Sequence, residues 1–270
     1  MLDRRSKDLR RAMVDMLWHG RRGHLASALS LTEIVRVLYD EVLRFDPARP
    51  RWEERDRFIL SKGHGCIALY VMLADKGFFP AAELKRFCAK DGILGGHPDQ
   101  GLVPGVEAST GALGHGLPIA VGMALDARRR GRGHRVLVAI GDGEAAEGSN
   151  WEAMQIAAKH GLDNLVVVVD CNHQQSWSTT ATVTGAESPA AKWTAFGAAV
   201  RAVDGHDTAA LRAAFAALPF AAGRPSVVIC HTVKGKGIAG VEGDLSWHHK
   251  TALTEEEYRS LLARVEAYDA

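Results

Sequence analysis

The sequence predicts an α/β fold: a parallel sheet with helices on both faces. Three observations carry that expectation. Short apolar, β-branched runs alternate with amphipathic stretches along the 270 residues. The runs are hydrophobic throughout rather than at every second position, as strands buried on both faces must be. Gly-rich stretches at 92–105, 111–116 and 235–243 interrupt the pattern, and in open parallel sheets the loops beyond the carboxyl ends of the strands hold ligands.

In chain order, MLDRRSKDLRR reads as the solvated face of a first helix, without the apolar core of a signal peptide. SLTEIVRVLYDEVL (30–43) has helical apolar spacing, and RFIL (57–60) is the first strand. Arg128, Arg129 and Arg130 close a helix, where cations suit the negative dipole end, and take no binding role. VLVAI (136–140) and LVVVVD (165–170) are the next strands. Between them NWEAMQIAAKHG (150–161) is a helix with Gly161 at the position of a C-terminal cap. AVRAV (199–203) and SVVICH (226–231) complete the strands, and ALTEEEYRSLLARVEAY is a last helix. No repeat or Ser/Pro linker divides the chain, so a single domain over 1–270 is expected.

Thirty-three basic residues against thirty-two acidic ones leave a net charge of +1. That balance offers nucleic acid and membranes no electrostatic hold, so an anion must be held by a local site. No apolar run approaches the roughly 20 residues of a membrane span. Cys66, Cys88, Cys171 and Cys230 form no C-x-x-C pair. Neither a disulfide framework nor a zinc site is expected, and reduced thiols in the cytoplasm are the default.

The strongest chemical signal is Gly141-Asp142-Gly143 after VLVAI, then 28 intervening residues, then Asn172 after LVVVVD. A carboxylate and an amide oxygen thus leave the ends of two strands. Hard oxygen donors of this kind suit magnesium or calcium, with phosphate completing the shell, and the glycines let the backbone approach a diphosphate. GDG alone is common in strand-end turns; the pairing with Asn172 is what points to a metal. His64 follows RFIL and opens a helix, whose exposed N–H groups favour phosphate.

GDG, a spacer of nearly thirty residues and Asn resembles the thiamine diphosphate signature. The surrounding GDGEAAEGSNWEAMQIAAKHGLDNLVVVVDCN is similar to transketolase in particular. GHLASALSLTEIVRVLY (23–39), SKGHGCIALY (61–70), GGHPD (95–99), GVEASTGALGHGLPIAVGMAL (105–125) and HTVKGKGIAGVEGDLSWHHK (231–250) extend the likeness over nearly the whole chain. The resemblance implies the thiamine diphosphate-binding fold, of the diphosphate-binding type. It implies that Asp142, Asn172 and the Gln174 carbonyl bind Mg2+ (or Ca2+). It places the cofactor on His64, Gly111, Ala112, Leu113, Gly141, Asp142, Gly143 and Asn172. It makes His24, His97 and His248 the substrate-channel histidines, suited to proton transfer at sugar oxygens, with His249 a weaker alternative to His248. Glu147 and Glu152 match acidic positions near a subunit interface, although surface helix acids explain them equally. Lys234 and Lys236 read as an exposed basic loop.

The likeness has two departures. Gln175-Ser176-Trp177-Ser178 stands where the family continues with an apolar-Asp-Gly turn, and His115 stands where many full-length members carry Gln. Both bear on the choice of sugars. No block matches the pyrimidine-side Glu that the chemistry requires. The chain therefore resembles the N-terminal subunit of a split transketolase, a transferase moving a two-carbon ketol unit from a ketose (phosphate) to an aldose. A separately encoded subunit with the pyrimidine-binding and C-terminal domains is its expected partner, as an α2β2 heterotetramer. Two other readings stay open: a subunit of a different thiamine diphosphate enzyme, like deoxyxylulose-phosphate synthase or an oxo-acid dehydrogenase E1, and a non-catalytic cofactor-binding subunit.

Overall fold

Every apolar run named above becomes a strand, and every pairing between them is parallel. In the computed structural model, which describes residues 2–185 and 189–269, β1 (Arg57–Leu60), β2 (Val136–Gly141), β3 (Leu165–Cys171), β4 (Ala199–Asp204) and β5 (Ser226–His231) form one sheet in the order β1-β2-β3-β5-β4. β2 and β3 are buried at every position, whereas β4, at the edge, is half-exposed. Period-two alternation deals each continuous run to two cores. Leu137, Ala139, Val166, Val168 and Val228 face one core, and Val138, Ile140, Val167, Val169 and Ile229 face the other.

The first core is covered by α1 (Arg4–Gly20), α2 (Leu25–Leu29), α3 (Thr32–Val37) and α4 (Cys66–Asp75), together with residues of later helices; the second is covered by α5 (Gly116–Arg129), α6 (Gly148–Lys159) and a later helix. α7 (Thr180–Thr184) and α8 (Pro189–Ala195) follow β3, and Trp193 of α8 is buried in the second core. α9 (Thr208–Ala216) and α10 (Glu255–Glu266) return to the first. Helices thus cover both faces. Among the described residues none is long and apolar enough to cross a membrane, and Cys66, Cys88, Cys171 and Cys230 are all free thiols.

Local chemistry sets the ends. α6 stops at Gly161, whose φ of 58° suits glycine. Leu162 N donates to Ala157 O and Gly161 N to Ala158 O, both at 3.0 Å, which satisfies two carbonyls of the last turn. The 30–43 stretch is not one α-helix. Beyond α3 it widens into a π-helical turn over Leu38–Val42, closed by Leu43 N donating to Leu38 O. That turn keeps Leu38 and Tyr39 buried and presents Asp40 to the Arg5 guanidinium at 2.7 Å. The basic face of α1 is also less solvated than its composition implies. Arg10 is fully buried and pairs with Glu33 at 2.6 Å.

Register positions the site. Gly141 of β2 stands beside Asp170 of β3, and Cys171 of β3 beside His231 of β5. The segments leaving β2, β3 and β5 therefore emerge side by side at one edge of the sheet.

Candidate functional site

Asp142 is the first residue beyond β2, and its carboxylate is held by two backbone donors. Gly143 N reaches Oδ1 at 2.9 Å and His173 N reaches Oδ2 at 2.6 Å. Asn172, just past β3, accepts Gln174 N on its own Oδ1 at 3.1 Å, which folds the chain so that Gln174 returns beside it. Burial, and then the negative charge of Asp170, push the Asp142 carboxyl up to about 6. Its surroundings thus leave the charge of Asp142 undercompensated, a setting that a bound cation would complete. The oxygen-rich donor set of Asp142, Asn172 and Gln174 fits a hard divalent ion.

Asp170 offers no such opening. Burial would raise its pKa, but Lys62 Nζ at 2.5 Å, Ser30 Oγ at 2.6 Å and the Thr232 hydroxyl hold it low. This buried pair fixes the Lys62 ammonium at the wall of a cavity of about 160 Å3 that Asp142, Asn172 and Gln174 also line. Lys234 joins it. The expected exposed basic loop is corrected here: Lys234 is 3% exposed and donates to Gln175 O and His248 Nδ1, each at 2.9 Å. Burial, and then Lys62, bring its pKa down to about 8. Lys236 is partly exposed, with Glu242 3.8 Å away. The loop is tethered through His206, whose Nε2 accepts Val233 N at 2.9 Å while Nδ1 contacts Glu33 at 2.9 Å. With Nε2 accepting from Val233, Nδ1 is the ring nitrogen left to donate to Glu33.

Glu144 binds the loops together. One oxygen accepts Ser61 Oγ at 2.5 Å and Gly114 N at 3.0 Å; the other accepts Gly141 N at 3.2 Å. The segment Gly111-Ala112-Leu113-Gly114 is thereby fastened beside the cavity, where Leu113 is a lining residue and Ala112 is exposed. Gly114 has φ of 76°, and a Cβ there would lie 2.6 Å from Glu147 Cβ. Gly143 is also closely packed, since a Cβ would lie 2.9 Å from Gln175 Cγ.

The histidines converge. His64 sits in a 3-10 turn leading into α4, and His24 precedes α2. The His24 ring centroid lies 5.4 Å from His64, 6.4 Å from His97, 5.1 Å from His248 and 4.8 Å from His249. His64 and His248 line the carboxylate cavity, whereas His24, His97 and His249 line a neighbouring one of about 390 Å3. Burial, and then the charge of His248, bring His24 down to about 3. Burial and Lys234 bring His248 to about 4, and burial with Lys62 holds His64 well below the usual range. Near neutral pH these rings are uncharged, each with one donor and one acceptor nitrogen.

The remaining candidates are more exposed. Glu147 reaches the cavity and Glu152 lies on the outer face of α6. His115 is exposed, with Nδ1 2.9 Å from Leu113 O. Ser176-Trp177-Ser178 is the tip of a tight turn closed by Gln175 N on Ser178 O, and Trp177 is 75% exposed. Sequence reasoning passed over Lys62, Asp170, Ser61 and Glu144. Lys62 and Ser61 lie inside the SKGHG block, so position relative to His64 was the one available signal.

A parallel sheet with an ion-lined cavity at the carboxyl ends of its strands defines the α/β proteins that take charged ligands at that edge. The chain belongs to the transketolase family, matching the family described as transketolase, thiamine diphosphate binding domain, over residues 3–266. It is 38% identical over 264 residues to an apulose-4-phosphate transketolase subunit of Phocaeicola vulgatus, covering 98% of this chain and 93% of that protein. To 6-deoxy-6-sulfo-D-fructose transketolase subunit SqwG of Clostridium sp. it is 39% identical, covering 90% and 88%. Transketolase from Leishmania mexicana superposes with a TM-score of 0.88 at 30% identity, over 98% of this chain and 42% of that one. The chain therefore spans about two fifths of that solved enzyme.

Proposed function

We propose that this chain is the diphosphate- and metal-binding subunit of a two-component, cytoplasmic transketolase, active with a separately encoded partner that carries the pyrimidine-binding and C-terminal domains. The carrying observation is the partly buried Asp142 carboxylate, destabilised by burial and Asp170, opening on the same cavity as the Lys62 and Lys234 ammonium groups. A cation and a polyanion are complementary to that arrangement together. The relatives named as subunits of apulose-4-phosphate transketolases support the division of labour, because this chain covers 93% and 92% of two such proteins.

In this reading Asp142, Asn172 and the Gln174 carbonyl hold Mg2+ (or Ca2+), and Lys62, Lys234 and His64 face the diphosphate. Gly141, Gly143 and the segment Gly111, Ala112, Leu113 lie against the cofactor. Bound thiamine diphosphate supplies the carbanion chemistry; the protein supplies position and electrostatics. His24, His97 and His248, uncharged near neutral pH, exchange hydrogen bonds and protons with sugar hydroxyl and carbonyl oxygens. The substrates are a ketose (phosphate) donor and an aldose acceptor, and the assembly is α2β2.

The test is to purify the chain, add thiamine diphosphate and Mg2+, and assay ketol transfer before and after adding the product of the adjacent gene. Activity is expected only in the mixture. Full activity of the chain alone, with contaminating transketolase excluded, overturns the two-component reading.

A further inference from the structure

Three side chains that the proposed chemistry leaves unused come together beside this site. Cys171 ends β3, and its register partner His231 ends β5, so the two stand side by side on the sheet. His173 lies two residues beyond Cys171 and returns to the same side through a backbone turn of φ 60°. Its ring lies parallel to that of His231, 16° apart in plane with centroids separated by 5.9 Å. Cys171 Sγ is 3.9 Å from His173 Nε2. One donor atom from each of the three residues lies within 4.8 Å of the other two.

Zinc takes thiolate at about 2.3 Å and imidazole nitrogen at about 2.0–2.1 Å, so donors around one tetrahedral ion stand roughly 3.3–3.7 Å apart. Rotation of the two exposed imidazoles closes the remaining gap. One sulfur and two imidazoles select zinc, cobalt or similar transition ions, and disfavour Mg2+ and Ca2+, which demand oxygen. A cavity of about 460 Å3 reaches Cys171 and His173 from the side of Trp151 and Trp193 and gives an ion its approach. We propose that Cys171, His173 and His231 form a transition-metal site, separate from the oxygen-donor site of Asp142, Asn172 and Gln174. Binding replaces the Cys171 S–H bond with a metal–sulfur bond and releases that proton to solvent. A fourth position is left for water. The two sites share one peptide, because His173 N donates to Asp142 Oδ2.

The test is a titration of the reduced chain with cobalt(II) chloride, in excess Mg2+ and without thiamine diphosphate, so that its outcome is independent of ketol transfer. A near-ultraviolet thiolate-to-cobalt band with tetrahedral visible absorption is expected, saturating at one equivalent. Cobalt held by the Asp142 oxygens or by the histidine cluster gives no thiolate band. C171S should abolish the band. His231→Ala, which alters an exposed side chain and spares the core, should weaken binding at least about tenfold, since even an outer-shell partner is worth that much. His19→Ala, an exposed histidine of α1 remote from both sites, should leave the thiolate band unchanged. Absence of a thiolate band in the native chain overturns the proposal, as does a band that persists at the same affinity in His231→Ala.

Discussion

The carboxylate cavity and the histidine mouth are neighbours, yet they treat charge in opposite ways. At the wall of the cavity a buried ion pair is held by its partners, Asp170 kept low by Lys62 2.5 Å away, while burial pushes Asp142 and Lys234 toward neutrality and leaves them open to a charged ligand. In the mouth, rings able to ionise are kept neutral by burial and by one another. The first region is built to receive a charged ligand, the second to exchange hydrogen bonds without carrying charge. His248 belongs to both, with its Nδ1 on Lys234 and its ring against His24.

Breaking the cavity should have the largest effect. Asp142→Ala is expected to abolish metal-dependent cofactor binding while leaving the sheet folded. In the assembled wild type, cofactor at a hundredfold over its dissociation constant stabilises by roughly 2.7 kcal/mol. Calorimetry should show that increment vanish in the variant, and an undiminished shift would remove Asp142 from the site.

The mouth should respond in turnover instead. His97→Ala is expected to lower kcat by on the order of 10²-fold or more, the usual worth of a positioned acid–base group, with cofactor affinity nearly intact. His64→Ala, on the cavity side, should weaken the cofactor first. Paired titration and kinetics check this, and the reverse pattern would dissolve the division between the regions.

Acid sharpens the same contrast. His24 and His248 titrate near 3 and 4 in the folded chain, below the 6.5 of a free imidazole. The unfolded chain therefore binds more protons below pH 6.5, and stability falls as the pH drops from there toward 4. Lys234, Lys62, His97 and His249 face these rings and oppose their protonation in the same sense. Urea unfolding at pH 7, 5.5 and 4.5 should show a shallower acid loss in His24→Gln than in the wild type. An identical slope would mean that burial does not hold His24 neutral.

The smallest effect expected is a control remote from both regions. Gly161→Ala places a Cβ at φ 58° and 2.9 Å from Gly223 O. A loss of about 1–2 kcal/mol is expected, measured by denaturant unfolding, with cofactor affinity unchanged.

What was legible in the sequence follows from this physics. β2 and β3 could be read because strands buried on both faces have no polar positions to disguise them. Gly161 could be read because few residues other than glycine enter that conformation readily. Asp142 and Asn172 were visible as a pair because each directly follows an apolar run. Lys62, Lys234 and Glu144 were not visible as buried groups, since ionisable side chains are solvated by default. Their burial depends on Asp170, His248 and Ser61, which are distant in sequence. Cys171 and His231 are sixty positions apart and become neighbours only through the β3–β5 register. The π-helical turn after α3 left no mark in the apolar spacing at all.

One further consequence concerns the order in which the molecule can be assembled. Arg10, in the first helix, donates to Lys236 O at 2.8 Å and to Glu33, whose carboxylate also meets the His206 ring that holds Val233. Trp18 stacks on Tyr258 of the last helix with centroids 4.9 Å apart. α1 therefore finds some of its partners more than two hundred residues further along the chain. Contacts of such long sequence separation form late and slowly, so the Trp18 side of α1 waits for α10 while α2, α3 and α4 cover the rest of its apolar face early. Until α10 docks, that side of α1 is open to other chains, the kind of exposed apolar surface that makes incomplete chains prone to aggregate.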